Sequence, residues 1–129
     1  MQYVMREFGK TGIVKEGDIS SQYNCITTPF LEDQLARSKK NLGLECIDLM
    51  YLHNAVEGQL QMPRDKFIAQ LKSVFEFFEK HRKEGSIRFY GLATWECFRV
   101  PKDKPNCLSL ARVMDLSHKH NFRSRRSGE

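Results

Sequence analysis

The chain has 129 residues, 40 % of them hydrophobic and 29 % charged, with a formal net charge of +5. That length fits one small domain and excludes two substantial ones, and the composition is that of a packed globular chain rather than a disordered one. Residues 1–98 carry 13 Lys/Arg against 13 Asp/Glu, and residues 99–129 carry 8 against 3, ending in Arg123-Ser124-Arg125-Arg126-Ser127-Gly128-Glu129, so the excess reads as a solvated basic tail and speaks against nucleic-acid binding.

In chain order, Tyr3 to Phe8 predicts a turn or two of helix before Gly9 and Gly12 break it. Gly9-Lys10-Thr11 mimics the end of a phosphate-binding loop, but that motif needs a glycine where Val4 stands. Thr28-Pro29 ahead of Phe30-Leu31-Glu32-Asp33 predicts a helix start, with proline at the first helical position and two acids near the positive end of the dipole. Leu31, Leu35 and Leu42 share one face of that helix, Arg37, Lys39 and Lys40 lie towards its end, and Gly43 suits a left-handed cap. Cys46 to Leu52 is a short apolar run and predicts a buried strand ending in His53-Asn54.

After a loop holding Gly58 and Pro63, a long helix is predicted from Arg64 to Glu84. Its apolar stripe is Phe67, Leu71, Val74, Phe75 and Phe78, its last turns carry Lys80, Arg82 and Lys83, and Gly85 ends it. Ile87 to Ala93 reads as a second strand, and the order strand, helix, strand predicts a right-handed crossover between parallel neighbours. A last helix is predicted over Ser109 to His118, with Leu110, Val113 and Met114 facing inward.

No apolar run approaches the roughly 20 residues that span a bilayer, and Met1 to Glu7 has no signal-peptide segment, so no membrane contact and a cytoplasmic location are expected. Cys25, Cys46, Cys97 and Cys107 form no C-x-x-C pair and are expected to be reduced and mostly packed. Of His53, His81, His118 and His120 only the last two are close, and no acid or thiol completes a site with them, so no metal is expected.

The spelling carries more than the periodicity. The run Leu31 to Asn54, with Ser38-Lys39-Lys40-Asn41-Leu42-Gly43-Leu44 followed by Ile47-Asp48-Leu49-Met50-Tyr51-Leu52-His53, resembles the aldo-keto reductase pattern of a helix ending in S-L-x-x-L-G-L and then I-D-L-x-x-L-H. A second block, Glu84-Gly85-Ser86-Ile87-Arg88 with Phe89-Tyr90-Gly91-Leu92, resembles the family's E-G-K-I-R helix end and the strand after it. The resemblance is strong from about Phe30 to Pro101, and His53-Asn54, Gly91-Leu92-Ala93-Thr94-Trp95 and Leu108-Ser109-Leu110 are spelled most like a bacterial branch.

That resemblance implies an α/β fold of the (β/α)8 TIM-barrel type, binding NADP(H) or NAD(H) and reducing small aldehydes or ketones by hydride transfer. It implies a Tyr general acid, a Lys-Asp pair beside it, and a His that orients and polarises the carbonyl. Only the His has a counterpart here, His53, at the carboxyl end of its strand; the bland alternative is a strand-end residue bonded to a loop carbonyl. Ala93-Thr94-Trp95 stand where many members have Ser-Asn-Phe, whose Ser-Asn pair contacts the nicotinamide carboxamide; Thr94 keeps one hydrogen bond to the cofactor and Ala93 none. Asn54 and Trp95 are the substrate-facing candidates, with loop capping the other reading of Asn54, and core or rim packing that of Trp95.

A complete barrel takes about 250 residues, so residues 1–122 are expected to be a partial barrel of about two parallel strands, the fourth and fifth β/α units, followed by a basic, disordered tail at 123–129. The Asp, Tyr and Lys are then expected ahead of Met1 and the phosphate-gripping segments beyond residue 129. The loss of resemblance after Phe122 reads as a truncated or frame-shifted frame, and the chain alone is expected to be inactive. The alternative is a non-catalytic module that self-associates or complements another barrel half, its tail touching acidic partners or RNA. Two parallel strands leave edges and an inward face uncovered, which predicts marginal stability, self-association, or both.

Overall fold

The computed structural model describes residues 2–20 and 24–125, with side chains described for 3–20 and 24–117. A three-residue helix α1 (Gln2–Val4) runs directly into a π-helical turn, Met5–Gly9. Phe8 anchors this segment on the next helix, edge-on to Phe30 at 5.7 Å and under the Arg37 guanidinium at 5.0 Å.

Helix α2 (Thr28–Leu42) starts with proline in its first turn and stops at Gly43, whose φ of +67° only a residue without Cβ adopts freely. Leu31 and Leu35 are buried, but Leu42, expected on the same stripe, lies 63 % exposed where the helix end runs past its neighbours. Glu32 and Asp33 fall outside the first turn and act as ion-pair partners instead, Asp33 with Arg37 at 2.7 Å and Glu32 with Lys80 and His81.

Strand β1 (Ile47–His53) and strand β2 (Ile87–Ala93) pair in parallel, with Leu49 opposite Phe89, Tyr51 opposite Gly91 and His53 opposite Ala93. Between them runs helix α3 (Arg64–Lys83), the centre of the core. All five residues of its predicted stripe are buried, and so are Phe77, Glu79 and His81, because other elements press on it from more than one side. Phe78 is fully buried and stacks on Tyr90 at 4.7 Å, which joins helix and sheet. Glu79, also buried, accepts the Tyr90 hydroxyl at 2.6 Å and pairs with Arg82 at 3.1 Å. Burial, then the Glu79 carboxylate, pushes the Tyr90 phenol well above its ordinary value.

β1 is not buried throughout as its apolar spelling predicted, and one face of the strand pair is open, as expected of two parallel strands standing alone. Leu52 is buried and Met50, Tyr90 and Leu92 are half-buried against the helices, whereas Leu49 (48 %), Tyr51 (56 %) and Phe89 (63 %) are exposed on the opposite face. Ile47 and Ile87 at the strand starts are packed against the core, and from Leu49 and Phe89 onward burial alternates between the faces where the sequence does not.

Helix α4 (Leu110–Arg125) follows a long loop and packs on α3. Val113 is buried as predicted, but Leu110 and Met114 are 60 % and 46 % exposed, because α4 meets the core along a narrower face than its apolar residues occupy. Its backbone is helical through Arg125; residues 126–129, and the side chains of His118 and His120, lie outside the described residues. All four cysteines are free, yet only Cys97 is fully buried; the other three are half-buried, so packing claims fewer of them than expected.

Candidate functional site

The parallel register brings the carboxyl ends of both strands to one end of the sheet, His53 beside Ala93. Asn54 extends the ladder by one bond, its N–H donating to the Ala93 carbonyl at 2.8 Å. It then turns the chain at φ +50°, a left-handed conformation that asparagine tolerates better than most residues, and its carbonyl accepts the Gly58 N–H at 2.9 Å. Its backbone thus closes the loop after β1. Its side-chain Oδ1 is buried with no hydrogen-bond partner among the described residues.

The His53 side chain is exposed at the end of the open face, with no ring hydrogen bond among the described residues, and its backbone carbonyl accepts the Asn24 amide at 3.1 Å. An open hollow of about 440 Å³ lies against it, walled by Val4, Phe8, Cys25, Phe30 and Gln34 among others; Thr94 and Trp95 are not on that wall. Thr94 is half-buried and its Oγ1 accepts the Cys97 thiol at 3.2 Å, a bond that does not use the hydroxyl's own proton. Burial pushes the Cys97 thiol up, so it stays a neutral donor there. The Trp95 ring is 69 % exposed, on the rim rather than in the core.

Two residues that bind the site together carry no signal of their own in the sequence. Asn24 also reaches the Asn54 carbonyl at 3.5 Å and accepts Gln59 at 3.5 Å, and Gly58 packs so close that a Cβ there would lie 2.7 Å from the Asn24 side chain. Glu57 accepts the N–H groups of Trp95 at 2.7 Å and Glu96 at 3.3 Å. Only the return of the chain sets these pairs, which are separated by 29 to 39 positions.

The strand ends bring together an exposed imidazole, the half-buried Thr94 hydroxyl and the buried Asn54 Oδ1, which has no partner among the described residues. The N–H groups of Trp95 and Glu96 are taken by Glu57 and are not on offer to a phosphate. Among the described residues no three His, Cys, Asp or Glu side chains gather as metal ligands, and no helix is long and apolar enough to cross a membrane.

No curated protein and no solved structure matches the chain. The sequence model of the Aldo/keto reductase family matches residues 10–107, taking in α2, both strands, α3 and the site at the strand ends. With most of its length inside that match, and with two parallel strands and flanking helices in an α/β arrangement consistent with a partial β/α barrel, this chain belongs to the aldo/keto reductase family.

Proposed function

We propose that the chain carries the histidine-bearing sector of a site that reduces small aldehydes or ketones to alcohols with NADPH or NADH. The observation that carries this is the register pairing of His53 with Ala93, which sets an unengaged imidazole next to the Asn54 and Thr94 turns at the carboxyl end of a parallel sheet. In this reading a His53 ring N–H holds the carbonyl oxygen, Thr94 donates to the nicotinamide carboxamide, and Asn54 and Trp95 border the substrate. When bound, the nicotinamide supplies the hydride that adds to the carbonyl carbon. The family's Asp, Tyr and Lys have no counterparts in the motifs matched here, so the chain by itself binds cofactor weakly and does not turn over. Its four free thiols fit a reducing, cytoplasmic setting.

The test is a titration of the purified chain with NADPH, followed by backbone resonances, together with a carbonyl-reduction assay. Shifts confined to His53, Asn54 and Thr94, without turnover, are expected. Shifts that avoid those residues refute the site, and turnover abolished by His53→Ala refutes the inactivity of the isolated chain.

A second reading, compatible with the first, is self-association through the open sheet face, with a second copy of this chain as the occupant. Leu49, Tyr51 and Phe89 form its apolar row, and Asp48 and Arg88, paired at 3.2 Å, stand exposed beside it. An isologous contact sets a patch against itself, so one acid and one base make it self-complementary, and the balanced charge of residues 1–98 adds little repulsion. Sedimentation over a concentration series should show a dimer that Tyr51→Lys dissociates and Met114→Lys leaves intact; a monomer throughout refutes it.

A further inference from the structure

Glu57 opens the short 3-10 turn Glu57–Gln59 after β1, yet its carboxylate serves the other loop. Oε1 accepts both the Trp95 and Glu96 N–H groups, at 2.7 and 3.3 Å. Bonds to an ionised acceptor are roughly twice as strong as neutral ones, and these two tie the turn after β2 to the turn after β1. The other bonds of the β2 turn are local or run onward along the chain: Arg99 and Val100 donate to the Glu96 carbonyl at 2.7 and 3.1 Å, Cys97 donates to Thr94 at 3.2 Å, and the Leu108 N–H donates to the Cys97 carbonyl at 2.8 Å and the Asn106 amide to the Glu96 carboxylate at 3.4 Å. The other carboxylate oxygen, Oε2, is buried without a partner among the described residues. A bare buried oxygen is destabilising, so stability alone does not account for an acid here, and local rules are most often broken where a site needs a particular geometry.

We propose that Glu57 is a positioning residue. Its carboxylate latches the Thr94-Trp95 turn to the end of β1 and so sets the Thr94 hydroxyl at a fixed separation from the His53 ring. The role rests on the reading of Thr94 as a cofactor contact, but the latch itself can be measured without any cofactor. Trp95 is the single tryptophan of the chain, so its emission reports on this turn alone.

The test compares Glu57→Ala, which removes the acceptor, with Glu57→Gln, which keeps one. Without cofactor, Glu57→Ala should speed amide exchange at Trp95 and Glu96 by about tenfold or more and lower the anisotropy of Trp95 emission, while amides in the middle of α3 exchange as before. Glu57→Gln should restore most of both. With NADPH as the probe, followed at the Thr94 amide, Glu57→Ala should weaken binding about tenfold and Glu57→Gln by much less. Unchanged exchange in Glu57→Ala overturns the latch whatever the cofactor does. Faster exchange with unchanged NADPH affinity overturns the positioning role. No NADPH response at Thr94 in the unaltered chain overturns the cofactor reading and the positioning role with it, and the exchange data then still decide the latch.

Discussion

Replacing Gly58 by alanine tests how the end of β1 is held. A Cβ at that position would lie 2.7 Å from Cβ, Cγ and Nδ2 of Asn24, against the roughly 3.5–4.0 Å of an ordinary carbon contact. Asn24 Cβ is fixed to its backbone, so rotating the side chain cannot clear the overlap. Either Asn24 withdraws and its amide gives up the His53 and Asn54 carbonyls, bonded at 3.1 and 3.5 Å, or the turn opens and breaks the Gly58 N–H bond to Asn54, 2.9 Å long. Overpacking costs about 1–3 kcal/mol and a net hydrogen bond about 1 kcal/mol, so Gly58→Ala should destabilise by about 2–4 kcal/mol. Asn24→Gly removes all three clashing atoms, and the double variant should recover about 1–2 kcal/mol of the summed single losses. Urea denaturation with unchanged slope measures each corner of the cycle. A loss below about 0.5 kcal/mol for Gly58→Ala, or no coupling in the cycle, would refute the close packing as the reason for glycine.

Phe78→Ala should cost about 3–5 kcal/mol, because the ring is fully buried, stacks on Tyr90 at 4.7 Å and touches Phe77 at 5.5 Å; thermal melting followed by near- and far-ultraviolet circular dichroism checks it. Tyr90 predicts an alkaline weakening: the unfolded phenol ionises near 10.0 while the folded one, raised by burial and by Glu79, stays protonated. Above that pH the unfolded state binds fewer protons, so stability falls as pH rises through 10.0 and onward until the folded phenol also ionises. Tyr90→Phe should remove that slope, and an identical slope in the variant would count against the assignment.

Much of α3 is legible from the chain alone. A stripe at helical spacing, cations in the last turn and a glycine after it act within a few residues of one another, and the helix observed ends at Lys83, one residue short of the span predicted from them. The strand ending in His53 is legible for the same reason, and the spelling around it identifies the family. What went unread is cross-chain. Glu79 and His81 are buried polar residues whose partners, Tyr90 and Glu32, lie 11 and 49 positions away, and neither residue stands out from the charged helix end around it.

The sequence by itself determined the elements, their order and the residue at the end of each strand, because these follow from periodicity, capping and local spelling. Only the tertiary structure decided which face of the sheet is covered, that Asn54 turns the chain while its side-chain oxygen stays bare, and that Asn24, Glu57 and Gly58 hold the strand ends together. Those outcomes depend on where the chain returns after twenty to forty residues, and no local energy term encodes that return.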